Sequence, residues 1–170
     1  LSQLLFMFEN PRKAAKVIEE GLNRGIVKKE EKTLKAAAQY WHAAKELEKA
    51  KPYYLQAATK SKEGELFIFL GQVHFSLDEF DKAEKAISNG LNKGKLKDEA
   101  AAYMLLGQIN FENQKWESAI DSFRKCIDVA ERQFDDKKEK QKEKKKRVQD
   151  QARKWVTYTE GEEERVEALK

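Results

Sequence analysis

The sequence contains few residues of the types that interrupt helices, bind metals or form disulfides. Its 170 residues include two prolines, eight glycines, two histidines and one cysteine. The single cysteine, Cys126, excludes a disulfide within the chain. No uncharged apolar run approaches the roughly 18 residues that a membrane-spanning helix needs, so no such span is predicted.

Charged and helix-favouring residues are abundant. Charged residues make up 38% of the chain and hydrophobic residues 40%, a composition that favours helix throughout. The net charge of +4 supports solubility and says little about partners. The first residue is Leu, not Met, which leaves room for an export signal upstream and leaves the compartment open.

The chain repeats itself. A shift of 69 residues aligns the segments 2–25 and 71–94. A shift of 36 places Gly71, Phe75, Phe80 and Ala83 on Gly107, Phe111, Trp116 and Ala119. A shift of 33 places Ala38, Leu47 and Ala50 on Gly71, Phe80 and Ala83. The unit is therefore 33 to 36 residues long, which is the length of a helical-hairpin repeat.

Apolar residues at helical spacing predict two helices in each unit, joined by a short polar turn. Gly71 and Gly107 in the first helix are expected where the two helices approach closely, as are Ala83 and Ala119 in the second. Gly94 and Gly25 are expected to end second helices in a left-handed conformation. Pro52 is expected to kink its helix or to delay its start.

These spacings divide the chain into five segments. They are a truncated repeat at 1–30, a degenerate repeat at 31–63, repeats at 64–99 and 100–133, and a charged capping helix and tail at 134–170. Because one repeat cannot bury its own faces, the truncated first copy implies further repeats upstream in the natural protein.

The large residue followed by Leu-Gly, an aromatic and a later second aromatic resembles the tetratricopeptide repeat (TPR) pattern. The resemblance implies an all-α fold of tandem helix-turn-helix repeats stacked in a right-handed superhelix. The segments GELFIFLGQVHFSLDEFDKA, GLNKGKLKDEAAAYMLLGQINFENQKWESAIDSF and ARKWVTY are most similar to TPR proteins that accompany TonB–ExbB–ExbD-type systems of marine gamma-proteobacteria. This narrower resemblance implies a periplasmic location, a role assisting TonB-dependent transport and a component of that complex as partner; a cytoplasmic location is not excluded.

In the TPR family, the first helix of each repeat faces a concave groove. Its ninth position here is always glutamine, and its twelfth is aromatic or histidine. Together with the residues at the fifth position of the first helix, the residues at these two positions predict a peptide-binding groove. Its members are Gln3, Phe6, Lys35, Gln39, His42, Ile68, Gln72, Phe75, Met104, Gln108 and Phe111. A glutamine amide both donates and accepts hydrogen bonds, so it can pair with a peptide backbone of any sequence. The alternative is that Phe75 and Phe111 pack between adjacent repeats, with the glutamines solvated above them.

After Asp135 the repeat pattern stops. The lysine-rich segment 137–147 is expected to begin a final helix that is solvated at its start and packs Trp155 and Val156 on the last repeat. Gly161 and the glutamates after it suggest fraying or a separate short helix. Interspersed acids and the lack of alternating aromatics argue against nucleic acid as a partner, although binding to an anionic surface remains an alternative.

The sequence predicts neither catalysis nor a cofactor or metal site. His42 and His74 have no cysteine or second histidine at metal-ligand spacing, and Cys126 occupies a position that suits a small buried hydrophobe. The leading hypothesis is therefore a non-catalytic scaffold that binds a partner polypeptide. The main alternative is a structural module that self-associates through an apolar patch at residues 4–7.

Overall fold

The computed structural model describes residues 2–3 and 10–170, and in these residues every regular element is a helix. The helices whose two ends both lie in the described residues are α1 (Pro11–Asn23), α2 (Glu31–Ala43), α3 (Leu47–Lys60), α4 (Glu65–Phe75), α5 (Phe80–Lys93), α6 (Glu99–Glu112), α7 (Trp116–Gln133) and α8 (Glu139–Glu167). We call α2, α4 and α6 the leading helices, and α3, α5 and α7 the second helices. The fold is the predicted all-α superhelix of stacked helical repeats.

The contacts follow the order of the chain. The most extensive ones join the two helices of a repeat, α2 to α3, α4 to α5 and α6 to α7, and the contact of α7 with α8 is equally extensive. Smaller contacts join α3 to α4 and α5 to α6. The buried side chains form one cluster spanning α1 to α5 and another spanning α6 to α8, and a third connects α4, α5 and α6. Each repeat thus contributes to cores shared with its neighbours.

The predicted small residues lie where helices meet. A Cβ atom added to Gly71 would lie 2.4 Å from Ile87 Cδ1, and one added to Gly107 would lie 2.4 Å from Phe123 Cε1. Gly94, directly after α5, and Gly25, two residues after the end of α1, have φ values of 71° and 69°, in the left-handed region expected for them. These predictions from the sequence are confirmed.

The turns within the repeats share a conformation that the sequence did not reveal. Lys45, Asp78 and Gln114 have φ values of 62°, 56° and 56°, in the left-handed region usually taken by glycine. In each repeat the following residue donates its N–H to a carbonyl in the last turn of the leading helix: Glu46 to Trp41, Glu79 to His74 and Lys115 to Asn110. This Schellman-type closure fixes the angle between the two helices without a glycine.

Of the two alternatives for Pro52, the delayed helix start is wrong, and the expectation of fraying or a separate short helix from Gly161 is wrong as well. Pro52 lies inside α3, which begins at Leu47 in the same register as Phe80 and Trp116, so its start is not delayed. Helix α8 continues through Gly161 to Glu167 without a separate segment. The surroundings of Gly161 are open, so an exposed glycine with helical neighbours on both sides lowers the local helix propensity without ending the helix.

Helix α8 runs parallel to α6 and antiparallel to α7, as the leading helix of a further repeat would. Its Lys144 pairs with Asp98 at the start of α6, and its Trp155 contacts Phe111 near the end of α6. Trp155 and Val156 pack on the last repeat, as predicted. The lysine-rich start is not uniformly solvated, however, because Lys145 is buried between Glu131 and Asp136.

Candidate peptide-binding surface

The predicted glutamines occupy equivalent places on the leading helices. Gln39, Gln72 and Gln108 each follow the small residue, Ala38, Gly71 or Gly107, that is buried against the second helix. Because each glutamine directly follows the equivalent buried small residue of its helix, the three glutamines lie on the same face of successive leading helices. Gln39 and Gln72 are exposed and Gln108 is partly exposed. Gln3 is exposed as well.

The side-chain amides of these glutamines have no hydrogen-bond partner in the part of the chain that the structure describes. Among the described residues, no side chain or backbone group forms a hydrogen bond with the side chain of Gln39, Gln72 or Gln108. Each therefore presents one acceptor and an NH₂ donor group to solvent or to a ligand.

The fifth-position residues lie below this surface more than on it. Ile68 and Met104 are buried, and Ile68 packs against Gly90 of α5. Lys35 is half-buried on α2. Ile68 and Met104 therefore shape the floor beneath the glutamines, and their side chains offer little area to a ligand.

The twelfth-position residues pack within the protein and keep part of their surface exposed. The ring centroid of Phe75 lies 5.8 Å from that of Phe80, within one repeat. His42 Nδ1 and Tyr54 Oη share a hydrogen bond of 3.2 Å. Burial, and next the charge of Lys45, lower the pKa of His42, while burial raises the pKa of Tyr54 to about 12. Both groups are thus uncharged at neutral pH. Phe6, the remaining twelfth-position residue, lies outside the described residues, as does the apolar patch at 4–7.

Phe111 belongs to an aromatic cluster that the sequence analysis missed. Its ring centroid lies 5.3 Å from Trp116 in its own repeat and 5.4 Å from both Trp155 and Tyr158 of α8. Trp155 also stacks on Phe123 at 5.4 Å and an interplanar angle of 15°. Phe111 therefore holds the capping helix as well as bordering the surface. The spacing Trp155-x-x-Tyr158, one helical turn, was the available signal.

The capping helix extends the predicted surface. Gln151, Lys154, Trp155 and Tyr158 line a hollow of about 270 Å³. Tyr158 is 54% exposed and contacts Phe111, so an aromatic side chain is accessible where the surface passes from α6 to α8.

The remaining chemistry of the described residues favours no catalytic or metal-binding role. Burial, and next the charge of Asp98, raise the pKa of the Cys126 thiol to about 11, so the thiol is protonated at neutral pH and a poor nucleophile. Within the residues that the structure describes, no cluster of histidine, cysteine and carboxylate side chains has the arrangement of a metal site. In the same part of the chain, each helix is too short or too polar to cross a bilayer.

Comparison with known families identifies the repeat type. Residues 42–160 match the sequence model of the family described as "Tetratricopeptide repeat protein 21 forth ARM domain". The chain belongs to this TPR-like family. No curated protein sequence matches the chain at a significant level.

Solved structures agree on the fold. MamA aligns with a TM-score of 0.66 and 16% identity over 99% of this chain and 97% of MamA. MamA from Desulfovibrio magneticus RS-1, beginning at its residue 41, aligns with a TM-score of 0.64 and 16% identity over 96% of this chain and 91% of that one. TPR-like repeats described as those of a kinesin light chain from Podosopora anserina align with a TM-score of 0.67 and 9% identity over 98% and 88%. At these identities the similarity shows the fold alone, and the resemblance to TonB-associated proteins stays a prediction.

Proposed function

We propose that this TPR-like protein is a non-catalytic scaffold that holds an extended segment of a partner polypeptide along its leading helices. The observation that carries the proposal is the row of unpaired glutamine amides at Gln39, Gln72 and Gln108. TPR-like folds typically serve as protein-interaction scaffolds, which agrees with this reading.

The chemistry of the row suits recognition of the backbone. A peptide in extended conformation exposes alternating N–H and C=O groups, and each amide can donate to one and accept from the other. Partly exposed aromatic residues along the same faces, Phe75, Phe111 and Tyr158, add apolar contact for the ligand's side chains. The scaffold is therefore expected to be tolerant of ligand sequence and selective for extended conformation.

The test uses 12-residue peptides selected from a random phage-displayed library on the intact chain. Replacing Gln39, Gln72 and Gln108 together by alanine is expected to weaken binding about 100-fold, at about 1 kcal/mol for each hydrogen-bonding residue lost. Gln56→Ala is the matched control, since Gln56 is exposed on the second helix α3. Circular dichroism should show equal helicity for all variants. If the selected peptides bound the triple variant as tightly as the control, the proposal would be wrong.

The partner's identity is a further proposal that rests only on the sequence resemblance. It points to a component of a TonB–ExbB–ExbD-type complex and to a periplasmic location. Crosslinking in intact cells followed by mass spectrometry, with separate periplasmic and cytoplasmic fractions, tests both. Recovery of the protein and its crosslinked partners in the cytoplasmic fraction would contradict them.

A further inference from the structure

A second apolar groove lies on the opposite side of the repeats from the glutamines. It is formed by α3, α4 and α5 and has a volume of about 450 Å³. Its apolar lining consists of Pro52, Leu55, Phe67, Leu70 and Ala86. At 100° per residue along α4, Phe67 and Leu70 lie on nearly the opposite side of the helix from Gln72. We call this surface the outer groove.

The outer groove combines exposed apolar surface with positive charge. Leu55 is 50% exposed, which is unusual for a large aliphatic side chain on a packed repeat. Lys51, Lys82 and Lys85 line the groove, and no carboxylate does. Glu79 binds Lys51 and Lys82, and Glu48 also binds Lys51, whereas Lys85 has no ion-pair partner among the described residues. The groove thus fits an acidic segment that also carries an apolar side chain.

Such a segment is present in the chain itself, at the end of α8. Residues 161–170 contain four glutamates and two basic residues, together with Val166 and Leu169. Leu169 is 77% exposed, the largest exposure among the large hydrophobic residues of the described chain. Among the described residues, no side chain of 161–170 forms a hydrogen bond or ion pair with another helix.

The packing of α8 on α7 leaves this segment without a partner helix. Lys145 contacts Glu131, Gln149 contacts Ile127, and Trp155 stacks on Phe123. The two helices are therefore antiparallel, and moving one residue forward along α8 corresponds to moving about one residue backward along α7. In that register Trp116, the first residue of α7, lies opposite residues 160–162. The helical turn that follows extends beyond α7, and its Val166 lies on the same face of α8 as Ala152 and Thr159. Leu169 lies just past the end of α8, in the turn that follows Glu167.

We infer that the outer groove of one copy binds the acidic C-terminal segment, residues 161–170, of a second copy. Leu169 packs on Leu55 and the apolar floor, and Glu164 and Glu167 approach Lys82 and Lys85. The groove and the segment are different surfaces, so the contact is heterologous and can extend to chains of copies. It uses neither the glutamine surface nor residues 4–7, and it is small enough that weak association is expected.

The first test is sedimentation velocity of the chain from about 10 μM to about 1 mM at low salt. The sedimentation coefficient is expected to rise with concentration and to fall when salt is added. Lys85→Glu should raise the dissociation constant about tenfold, as should the double change Glu164→Lys and Glu167→Lys. Lys16→Glu is the matched control because it makes the same charge change on an exposed site of α1. Mixing the Lys85→Glu chain with the Glu164→Lys/Glu167→Lys chain should restore association.

A second test locates the contact directly. Chains carrying Asn89→Cys, at the outer groove, and Leu169→Cys are mixed and treated with a short bismaleimide; Cys126 is buried and does not compete. A crosslinked heterodimer is expected, whereas Lys16→Cys on α1, in place of Asn89→Cys, should not crosslink. A chain that stays monomeric at every concentration would overturn the inference. Association that persists in both charge-reversal variants would also overturn it.

Discussion

The Lys51 ammonium group lies 3.0 Å from the Glu79 carboxylate and joins the second helices α3 and α5 across the boundary between two repeats. Equivalent ion pairs cross the neighbouring boundaries, namely Arg12 with Glu46 and Lys115 with Glu84. Glu79 is the most heavily bonded of these carboxylates, since Lys82 and His74 also contact it. The stacking of repeats is therefore held by polar contacts at its edge as well as by the shared cores.

The bonds to Glu79 predict an acid-sensitive stability. Hydrogen bonds from Lys82, and next from His74, lower the pKa of Glu79 from its ordinary 4.5 to about 2. A carboxyl whose pKa is lower in the folded than in the unfolded state stabilises the fold above about pH 4.5 and loses that contribution as the pH falls towards about 2. Glu79→Gln should therefore flatten this part of the stability profile, measured by urea unfolding. Asp121→Asn, at an exposed carboxylate, is the control; if both variants followed the wild-type profile, Glu79 would not be the responsible group.

The close approaches at the glycines predict different costs for the same substitution. Gly107→Ala should lower the free energy of unfolding by about 1–3 kcal/mol, because the added Cβ meets the rigid, fully buried ring of Phe123. Gly71→Ala should cost a similar amount, since its Cβ meets Ile87 Cδ1 and Cγ1 at 2.4 and 2.6 Å and Ile87 is a fully buried, β-branched residue. Gly161→Ala meets no atom within 4 Å and should instead stabilise by roughly 0.5–1 kcal/mol. Thermal and urea unfolding measure all three, and a destabilising Gly161→Ala would argue against the continuous helix α8.

The aromatic cluster predicts that Phe111 controls the docking of the capping helix. Phe111→Ala removes contacts with Trp155 and Tyr158, so amide hydrogen exchange in residues 150–160 should accelerate. Phe75→Ala is the matched control, because Phe75 contacts Phe80 and should leave exchange in α8 unchanged. Equal exchange in the two variants would show that Phe111 does not hold α8. For the same reason, loss of peptide binding on Phe111→Ala would not by itself identify the peptide surface.

The burial of Lys145 predicts that the lysines of the C-terminal run are not equivalent. Lys145 is 8% exposed and pairs with Glu131 and Asp136, whereas Lys142 is exposed and has no ion-pair partner among the described residues. Lys145→Ala should lower the melting temperature and loosen the start of α8, because it removes the cation through which α8 binds Glu131 of α7 and Asp136 of the connecting loop. Lys142→Ala should leave the melting temperature unchanged. Equal melting temperatures for the two variants would show that the lysines of the segment 137–147 are equally solvated.

Much of the architecture could be predicted because its signals are local. Gly71 and Gly107 occupy equivalent positions of two repeats, as do Phe80 and Trp116, and their spacing indicates the repeat length. The glycines also indicate where the two helices of a repeat cross. The glutamines could be aligned because they keep a constant distance from those small residues. Positions 45, 78 and 114 could not be assigned to the left-handed region, since Lys, Asp and Gln show no preference that separates this turn from others.

The sequence by itself determined the two-helix unit, the number of residues in it and the shared face of the glutamines, because helical periodicity depends on neighbours within one or two turns. Only the tertiary structure decided that Lys145 is buried, that Phe111 anchors α8 and that an apolar groove opens behind the glutamines. Each of these depends on residues from a different helix, such as Glu131 for Lys145 and Trp155 for Phe111. The stacking of the repeats decides which side chains of different helices come into contact. A sequence pattern within one or two helical turns does not report the distance between residues on different helices.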